Sequence, residues 1–122
     1  MKIKLLFFSL LTYNLIISQT IVIDPGHGYC SDCTQSSCTS AVRTDTEILT
    51  AMSVGNKLKV LLDNNCSTVT AHLTRTSNAC GDFPSLSARE TMSNNWNADR
   101  FLSIHCNGGG GTGTETFWCD NG

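Results

Sequence analysis

Short apolar runs that alternate with amphipathic segments are the feature that most constrains how this chain can fold. The β-branched or alternating runs predict strands, at residues 20–24, 69–75, 101–104 and 114–118. Between the first three strands, apolar residues at helical spacing predict helices at about 44–63 and 85–97. Strands that alternate with helices favour an α/β fold, in which a mostly parallel, twisted sheet has helices on both faces.

Local signals support both helices. Thr44 and Glu47 have the spacing of a capping box at the start of the first helix. In the second helix, Leu86, Met92 and Trp96 fall on one side. We therefore predict that this side of the second helix faces the core.

Residues 1–20 have the layout of a secretory signal peptide, with cleavage near 18–20. Lys2 and Lys4 precede an apolar run, and small or polar residues follow that run. The run is shorter than the ~20 apolar residues that span a bilayer, and no later segment is long enough. We expect a secreted protein, periplasmic or extracellular, without stable membrane insertion after cleavage. An uncleaved N-terminal anchor is the alternative.

The composition excludes two broad classes of protein. A chain that is 40% hydrophobic and 15% charged is not intrinsically disordered. With 8 Lys and Arg against 10 Asp and Glu, it lacks the basic footprint of a nucleic-acid-binding protein. Seven cysteines in an exported chain predict disulfides, and Cys30, Cys33 and Cys38 crowd one loop. Their spacing also fits a structural zinc site, which is the alternative.

Three metal-ligating residues fall where the predicted elements begin or end. His27 follows the first strand, His105 follows the third, and Glu47 lies at the start of the first helix. Functional groups gather beyond the carboxyl ends of parallel strands, so both histidines are expected at one rim. Two imidazoles and a carboxylate are the ligand set of a catalytic zinc site with one open position. The alternatives are histidines that pack at strand ends and a glutamate that caps its helix.

Blocks of sequence around these residues occur in a characteristic order. They are Ile21-Val-Ile-Asp-Pro-Gly-His-Gly28, Glu47 at a helix start, Leu73-Thr-Arg75, Leu86 with Arg89, Asn97-Ala-Asp99, Phe101-Leu-Ser-Ile-His-Cys-Asn107 and Gly113-Thr-Glu-Thr-Phe117. Together the blocks resemble the zinc-dependent N-acetylmuramoyl-L-alanine amidases, a family of cell-wall hydrolases. The resemblance covers essentially the whole chain after residue 20.

This resemblance implies a reaction and a role for the matched residues. His27, Glu47 and His105 would hold a Zn²⁺ ion that polarises the scissile amide carbonyl and lowers the pKa of a water to ~7. The substrate would be peptidoglycan, cut at the amide bond between N-acetylmuramic acid and L-alanine. Arg75 and Arg89 match recurrent family positions. We interpret both first as structural residues, with Arg89 in a salt bridge near the surface of the second helix, and second as contacts to substrate carboxylates.

The sequence departs from the family at the catalytic glutamate. The family's general base lies in a later block that has no counterpart before Gly122, and Glu115 matches the Gly-x-Glu-Thr block instead. We therefore expect no catalytic residue here. We interpret residues 21–122 as the N-terminal part of an amidase catalytic domain, inactive or nearly so alone. The alternatives are a non-catalytic peptidoglycan-binding module and a thiol hydrolase that uses Cys106.

Overall fold

The computed structural model describes residues 18–31 and 45–106. These residues form, in order, β1 (Gln19–Pro25), α1 (Asp45–Asn65), β2 (Val69–Leu73), α2 (Leu86–Asn95) and β3 (Arg100–Ile104). All five elements match the predicted ones, with bounds that shift by one or two residues. The predicted fourth strand with Glu115, the cysteines Cys33 and Cys38, and residues 1–17 of the predicted signal peptide lie outside the described residues. None of the described helices has the length and apolarity to cross a membrane.

The three strands form one parallel sheet in the order β2-β1-β3. In the central strand, Ile23 lies beside Leu73 of β2 and Leu102 of β3. Parallel strands cannot be joined by a tight hairpin, so the chain crosses over from β1 to its neighbour β2 through α1, and from β2 to β3 on the other side of β1 through α2. The predicted α/β class with a parallel sheet is confirmed.

Helix α1 packs closely against one face of the sheet. It buries Ile48, Ala51 and Met52. Gly55 lies at a close approach to the sheet, because a Cβ at this position would lie 2.8 Å from Cγ of Pro25. Glycine is a poor helix former, but its missing side chain is what lets α1 lie against the end of β1.

Helix α2 begins at the N-cap residue Ser85, whose Oγ accepts a hydrogen bond from the N–H of Ala88 at 3.2 Å. Its buried residue is charged: Arg89 is 4% exposed, whereas Leu86 is 86% exposed. The predicted core face of α2 is therefore wrong at Leu86. The residue that points into the interior is Arg89, because the buried carboxylate of Asp24 holds its guanidinium there.

Trp96, directly after α2, stacks on His72 of β2. The two ring centroids are 4.6 Å apart, and the ring planes differ by 8°. His72 lies in register beside Val22, the residue that precedes Ile23 on β1. Successive residues on a strand point to opposite faces, and Ile23 is on the side of Gly55 in α1. The stack therefore places the end of α2 on the face opposite α1.

Strand β1 begins at Gln19, before the boundary predicted for the folded domain. The N–H of Gln19 donates to the carbonyl of Thr68 at 2.8 Å. The N–H of Thr20 donates to Oδ2 of Asp99 at 2.7 Å, and the N–H of Asp99 donates back to the carbonyl of Thr20 at 2.8 Å. Residues 19 and 20 are thus hydrogen-bonded parts of the sheet.

Candidate metal centre

Three side chains converge at the carboxyl end of the sheet. Nε2 of His27 lies 3.0 Å from Oε1 of Glu47 and 2.9 Å from Nδ1 of His105. The same Oε1 is 3.7 Å from Nδ1 of His105. One ligand atom from each residue therefore lies within 4.8 Å of the other two. The structure brings together the three residues that the sequence predicted as metal ligands, although 78 positions separate the two histidines.

The cluster opens to solvent on the side of His105. The side chain of His105 is 49% exposed, against 9% for His27 and 14% for Glu47. Both histidines line a cleft of about 580 Å³ that extends between α2 and β3, where Phe83 and Phe101 contribute to its walls. A ligand in this cleft would reach the imidazoles directly.

The turn after β1 presents His27 through an unusual backbone conformation. His27 has a φ of 60°, in the left-handed region, which histidine enters more readily than most residues other than glycine. A Cβ on the preceding Gly26 would lie 2.5 Å from Cε1 of His105 and 2.7 Å from both ring nitrogens. Glycine at position 26 is therefore what allows the His105 ring to approach the turn.

Glu47 reaches the cluster from the first turn of α1. Besides its contact with His27, its Oε1 accepts a hydrogen bond from the N–H of Cys106 at 3.3 Å. The thiol of Cys106 is free and the residue is exposed. The neighbouring imidazole of His105 packs edge-on against His27, with ring centroids 4.6 Å apart. The imidazole of His105 is thus directed at His27 and Glu47.

A buried carboxylate that was not among the predicted site residues lies beside the cluster. Asp24 is 4% exposed. Its Oδ1 accepts hydrogen bonds from Oγ1 of Thr74 at 2.5 Å and from Nη1 of Arg89, and its Oδ2 accepts one from Oγ of Ser103 at 2.7 Å. Burial raises the pKa of Asp24, but these hydrogen bonds and the charge of Arg89 outweigh burial and hold the pKa below its usual value. The feature of the sequence that could have identified Asp24 is its place as an acidic residue at the end of an otherwise apolar strand.

Both arginines that match family positions are interior residues. Arg75 is 1% exposed and Arg89 is 4% exposed. The predicted salt bridge of Arg89 exists, but it is buried against Asp24 and not near the helix surface. Burial lowers the pKa of Arg75, and the nearby positive charge of Arg89 lowers it further. Every buried side-chain nitrogen and oxygen in the described part of the chain has a hydrogen-bond partner.

Disulfides hold the segment that follows His27. Cys30 and Cys80 are each disulfide-bonded. Tyr29 pairs with Cys80 in a parallel bridge, and the N–H of Gly81 donates to the carbonyls of Tyr29 and Cys30, both at 3.0 Å. The prediction that Cys30 is disulfide-bonded is confirmed. The alternative of a structural zinc ion is wrong at Cys30, because its sulfur is not available as a thiolate ligand.

Curated proteins with similar sequences carry one activity in their names. The chain is 40% identical over 98 residues to the sporulation-specific N-acetylmuramoyl-L-alanine amidase of Bacillus subtilis strain 168, a match that covers 80% of this chain and 34% of that protein. It is 41% identical over 97 residues to the N-acetylmuramoyl-L-alanine amidase CwlM of Bacillus licheniformis, a match that covers 80% of this chain and 35% of that protein. The chain thus spans about a third of the length of these curated relatives.

Two solved structures that match this chain are also named N-acetylmuramoyl-L-alanine amidases. The catalytic domain of CwlV, from Bacillus (Paenibacillus) polymyxa var. colistinus, matches with a TM-score of 0.58 and 28% identity, over 76% of this chain and 48% of that chain. AmiC2 of Nostoc punctiforme matches with a TM-score of 0.55 and 28% identity, over 73% of this chain and 44% of that chain. The family model for N-acetylmuramoyl-L-alanine amidase, Amidase_3, matches residues 21–121. The resemblance seen in the sequence is confirmed, and the chain belongs to this amidase family.

Proposed function

We propose that His27, Glu47 and His105 bind a Zn²⁺ ion, and that this centre serves hydrolysis of the amide bond between N-acetylmuramic acid and L-alanine in peptidoglycan. The observation that carries the proposal is the convergence of two imidazole nitrogens and one carboxylate oxygen within 4.8 Å. Family membership and the names of the relatives supply the reaction and the substrate.

The donor set fits zinc. Zn²⁺ accepts imidazole nitrogen and carboxylate oxygen, and catalytic sites commonly use three protein ligands, so that one position stays open. The contacts of 2.9 and 3.0 Å at Nε2 of His27 bring one nitrogen or oxygen atom of each residue close together. A bound zinc ion would supply Lewis-acid polarisation of the amide carbonyl and a water of lowered pKa.

The residues of this chain have distinct tasks around such an ion. His27 and His105 each offer a neutral nitrogen, and Glu47 offsets part of the positive charge. The N–H of Cys106 donates to Glu47 and orients its carboxylate. Because His105 is the most exposed of the three side chains, substrate would enter from its side of the cleft.

The zinc content of purified protein tests the ligand assignment. We expect about one zinc ion per chain in the wild type, and its loss in His27→Ala, Glu47→Ala and His105→Ala. His72→Ala is the matched control, since this remaining histidine of the chain stacks on Trp96 and lies outside the cluster. Unchanged zinc content in the three ligand variants would refute the assignment.

We also propose that residues 21–122 alone release little stem peptide. All three proposed ligands lie in this sequence, but the family's general-base glutamate has no counterpart in it. Purified peptidoglycan incubated with the zinc-loaded chain should therefore yield only traces of soluble peptide, measured by chromatography. Robust turnover that a chelator abolishes would contradict this proposal.

The site of action that we propose is the cell wall, outside the cytoplasm. Peptidoglycan lies there, and the names of the relatives point to the same substrate. The disulfides of Cys30 and Cys80 suit an oxidising compartment. A signal peptide that is cleaved no later than Ser18 would deliver the chain there with β1 intact, because Gln19 and Thr20 are hydrogen-bonded in the sheet.

A further inference from the structure

Arg75 bonds to both main-chain segments that carry the proposed ligands. Its Nε donates to the carbonyl of Pro25 at 2.9 Å, and its Nη2 donates to the carbonyls of Gly26 at 3.1 Å and Ile48 at 2.9 Å. Gly26 directly precedes His27, and Ile48 directly follows Glu47. One buried guanidinium therefore bridges the turn after β1 and the first turn of α1.

The other two bonds of Arg75 fix the guanidinium itself. Nη1 donates to the carbonyl of Ser77 and to Oδ1 of Asn78, both at 2.9 Å. The five bonds equal the five N–H donors of an arginine side chain. The orientation of Arg75 is therefore set on both sides of its planar group.

Arg89 holds the next carbonyl along the turn. Its Nη2 donates to the carbonyl of His27 at 2.8 Å, and its Nη1 donates to the carbonyl of Pro25 at 3.2 Å and to Asp24. Arg75 thus fixes the peptide plane before His27, and Arg89 fixes the plane after it. Since these two planes determine φ and ψ of His27, they also determine the direction in which its imidazole leaves the backbone.

We propose that Arg75 and Arg89 are positioning residues that set His27 and Glu47 in place for metal binding. This inference rests on the proposed zinc site. A planar guanidinium can bond several carbonyls in fixed directions, whereas a lysine ammonium is a compact charge with three donors. Arg75→Lys therefore keeps a buried positive charge and loses the bridge between the ligand-bearing segments. Arg89→Lys keeps a positive charge beside Asp24 and loses the bond to the carbonyl of His27.

The test compares the full chain with Arg75→Lys, Arg89→Lys and Arg100→Lys. Arg100 is the matched control, because it is exposed and its described hydrogen bond goes to the adjacent carbonyl of Asp99. Competition with a chromophoric chelator gives the Zn²⁺ dissociation constant, and the visible absorption of the Co²⁺-loaded protein reports ligand geometry. We expect Arg75→Lys and Arg89→Lys to weaken Zn²⁺ binding about 10–100-fold, as loss of a group that orients a ligand commonly does. Both should also change the Co²⁺ spectrum, and Arg100→Lys should match the wild type.

The following results would overturn one or both proposals. Wild-type Zn²⁺ affinity in folded Arg75→Lys and Arg89→Lys would overturn the inference and leave the proposed function standing. A lowered unfolding midpoint without a change in Zn²⁺ affinity would show a purely structural role and would also overturn it. Absence of Zn²⁺ binding in the wild type would overturn both proposals. Should the arginine variants fail to fold, Ser103→Ala removes one hydrogen bond from Asp24, and unchanged Zn²⁺ affinity there would count against the network.

Discussion

Among the three proposed metal ligands, His27 is the one with a left-handed backbone conformation. Its left-handed φ of 60° belongs to a sparsely populated region, which costs on the order of 1–3 kcal/mol and persists where the surrounding structure over-determines it. That structure includes the two guanidiniums on the neighbouring carbonyls and Gly26, whose absent Cβ leaves room for His105. The backbone strain therefore lies at His27 itself, where φ and ψ set the direction of the proposed imidazole ligand.

Asp24→Asn tests the buried charge pair beside the site. Removal of the carboxylate charge leaves Arg89 buried without its counter-ion, a change that commonly destabilises a fold by about 3–5 kcal/mol. We expect a loss of this size at neutral pH, measured by urea unfolding followed by circular dichroism. Arg100→Lys, at an exposed arginine, should change the free energy of unfolding by less than about 0.5 kcal/mol.

The difference in stability between wild type and Asp24→Asn should also depend on pH, in a direction that follows from the lowered pKa of Asp24. The folded protein holds this carboxyl as a charged group more strongly than the unfolded chain does, where its pKa is ~3.9. Its contribution to stability is therefore complete above about pH 5 and is lost as the pH falls through the folded pKa. The stability difference between wild type and Asp24→Asn should shrink below about pH 4. A difference that stays constant down to pH 2 would contradict this account.

The proposed ligands could be predicted from the sequence, but the network of hydrogen bonds around them could not. His27, Glu47 and His105 are recognisable by their residue types and by their places at element ends. Asp24 and Arg89 are 65 positions apart, and their contact depends on how α2 lies over the sheet. No local pattern encodes that geometry, so the sequence indicated a surface salt bridge where the structure has a buried one.

At the scale of elements, strands and helices were predictable because their signals are local. Alternation and helical spacing are both properties of a few adjacent residues. The buried face of α2 was not predictable, because a count of apolar residues treats arginine as a surface residue. Arg89 is buried through a charge partner on another element, and Leu86 remains exposed.

His72→Ala tests the contact that joins the end of α2 to β2. The stacked rings of His72 and Trp96 should contribute roughly 0.5–1.5 kcal/mol beyond the area that they bury. We expect a loss of about 1 kcal/mol or more in the free energy of unfolding. Leu86→Ala on the same helix is the control, because a side chain at an 86% exposed position changes stability by less than about 0.5 kcal/mol. Equal effects of the two changes would refute a stabilising role for the stack.

At the scale of the whole molecule, the parallel sheet explains why distant residues share one site. The carboxyl ends of β1 and β3 lie side by side, with Pro25 paired to Ile104, so the residues that follow each strand meet. Glu47 joins them because the first crossover helix starts at the same edge. This much follows from the order of elements. The cleft beside the site does not, because its shape depends on the distance and angle between α2 and β3.

The proposed zinc site places one metal ion between His27, Glu47 and His105. Anomalous X-ray scattering at the zinc absorption edge, from crystals grown with Zn²⁺, locates such an ion directly. We predict one strong peak about 2.0–2.2 Å from an imidazole nitrogen of each histidine and from a carboxylate oxygen of Glu47. A zinc peak at the cysteines, or no peak within reach of these three side chains, would contradict the account.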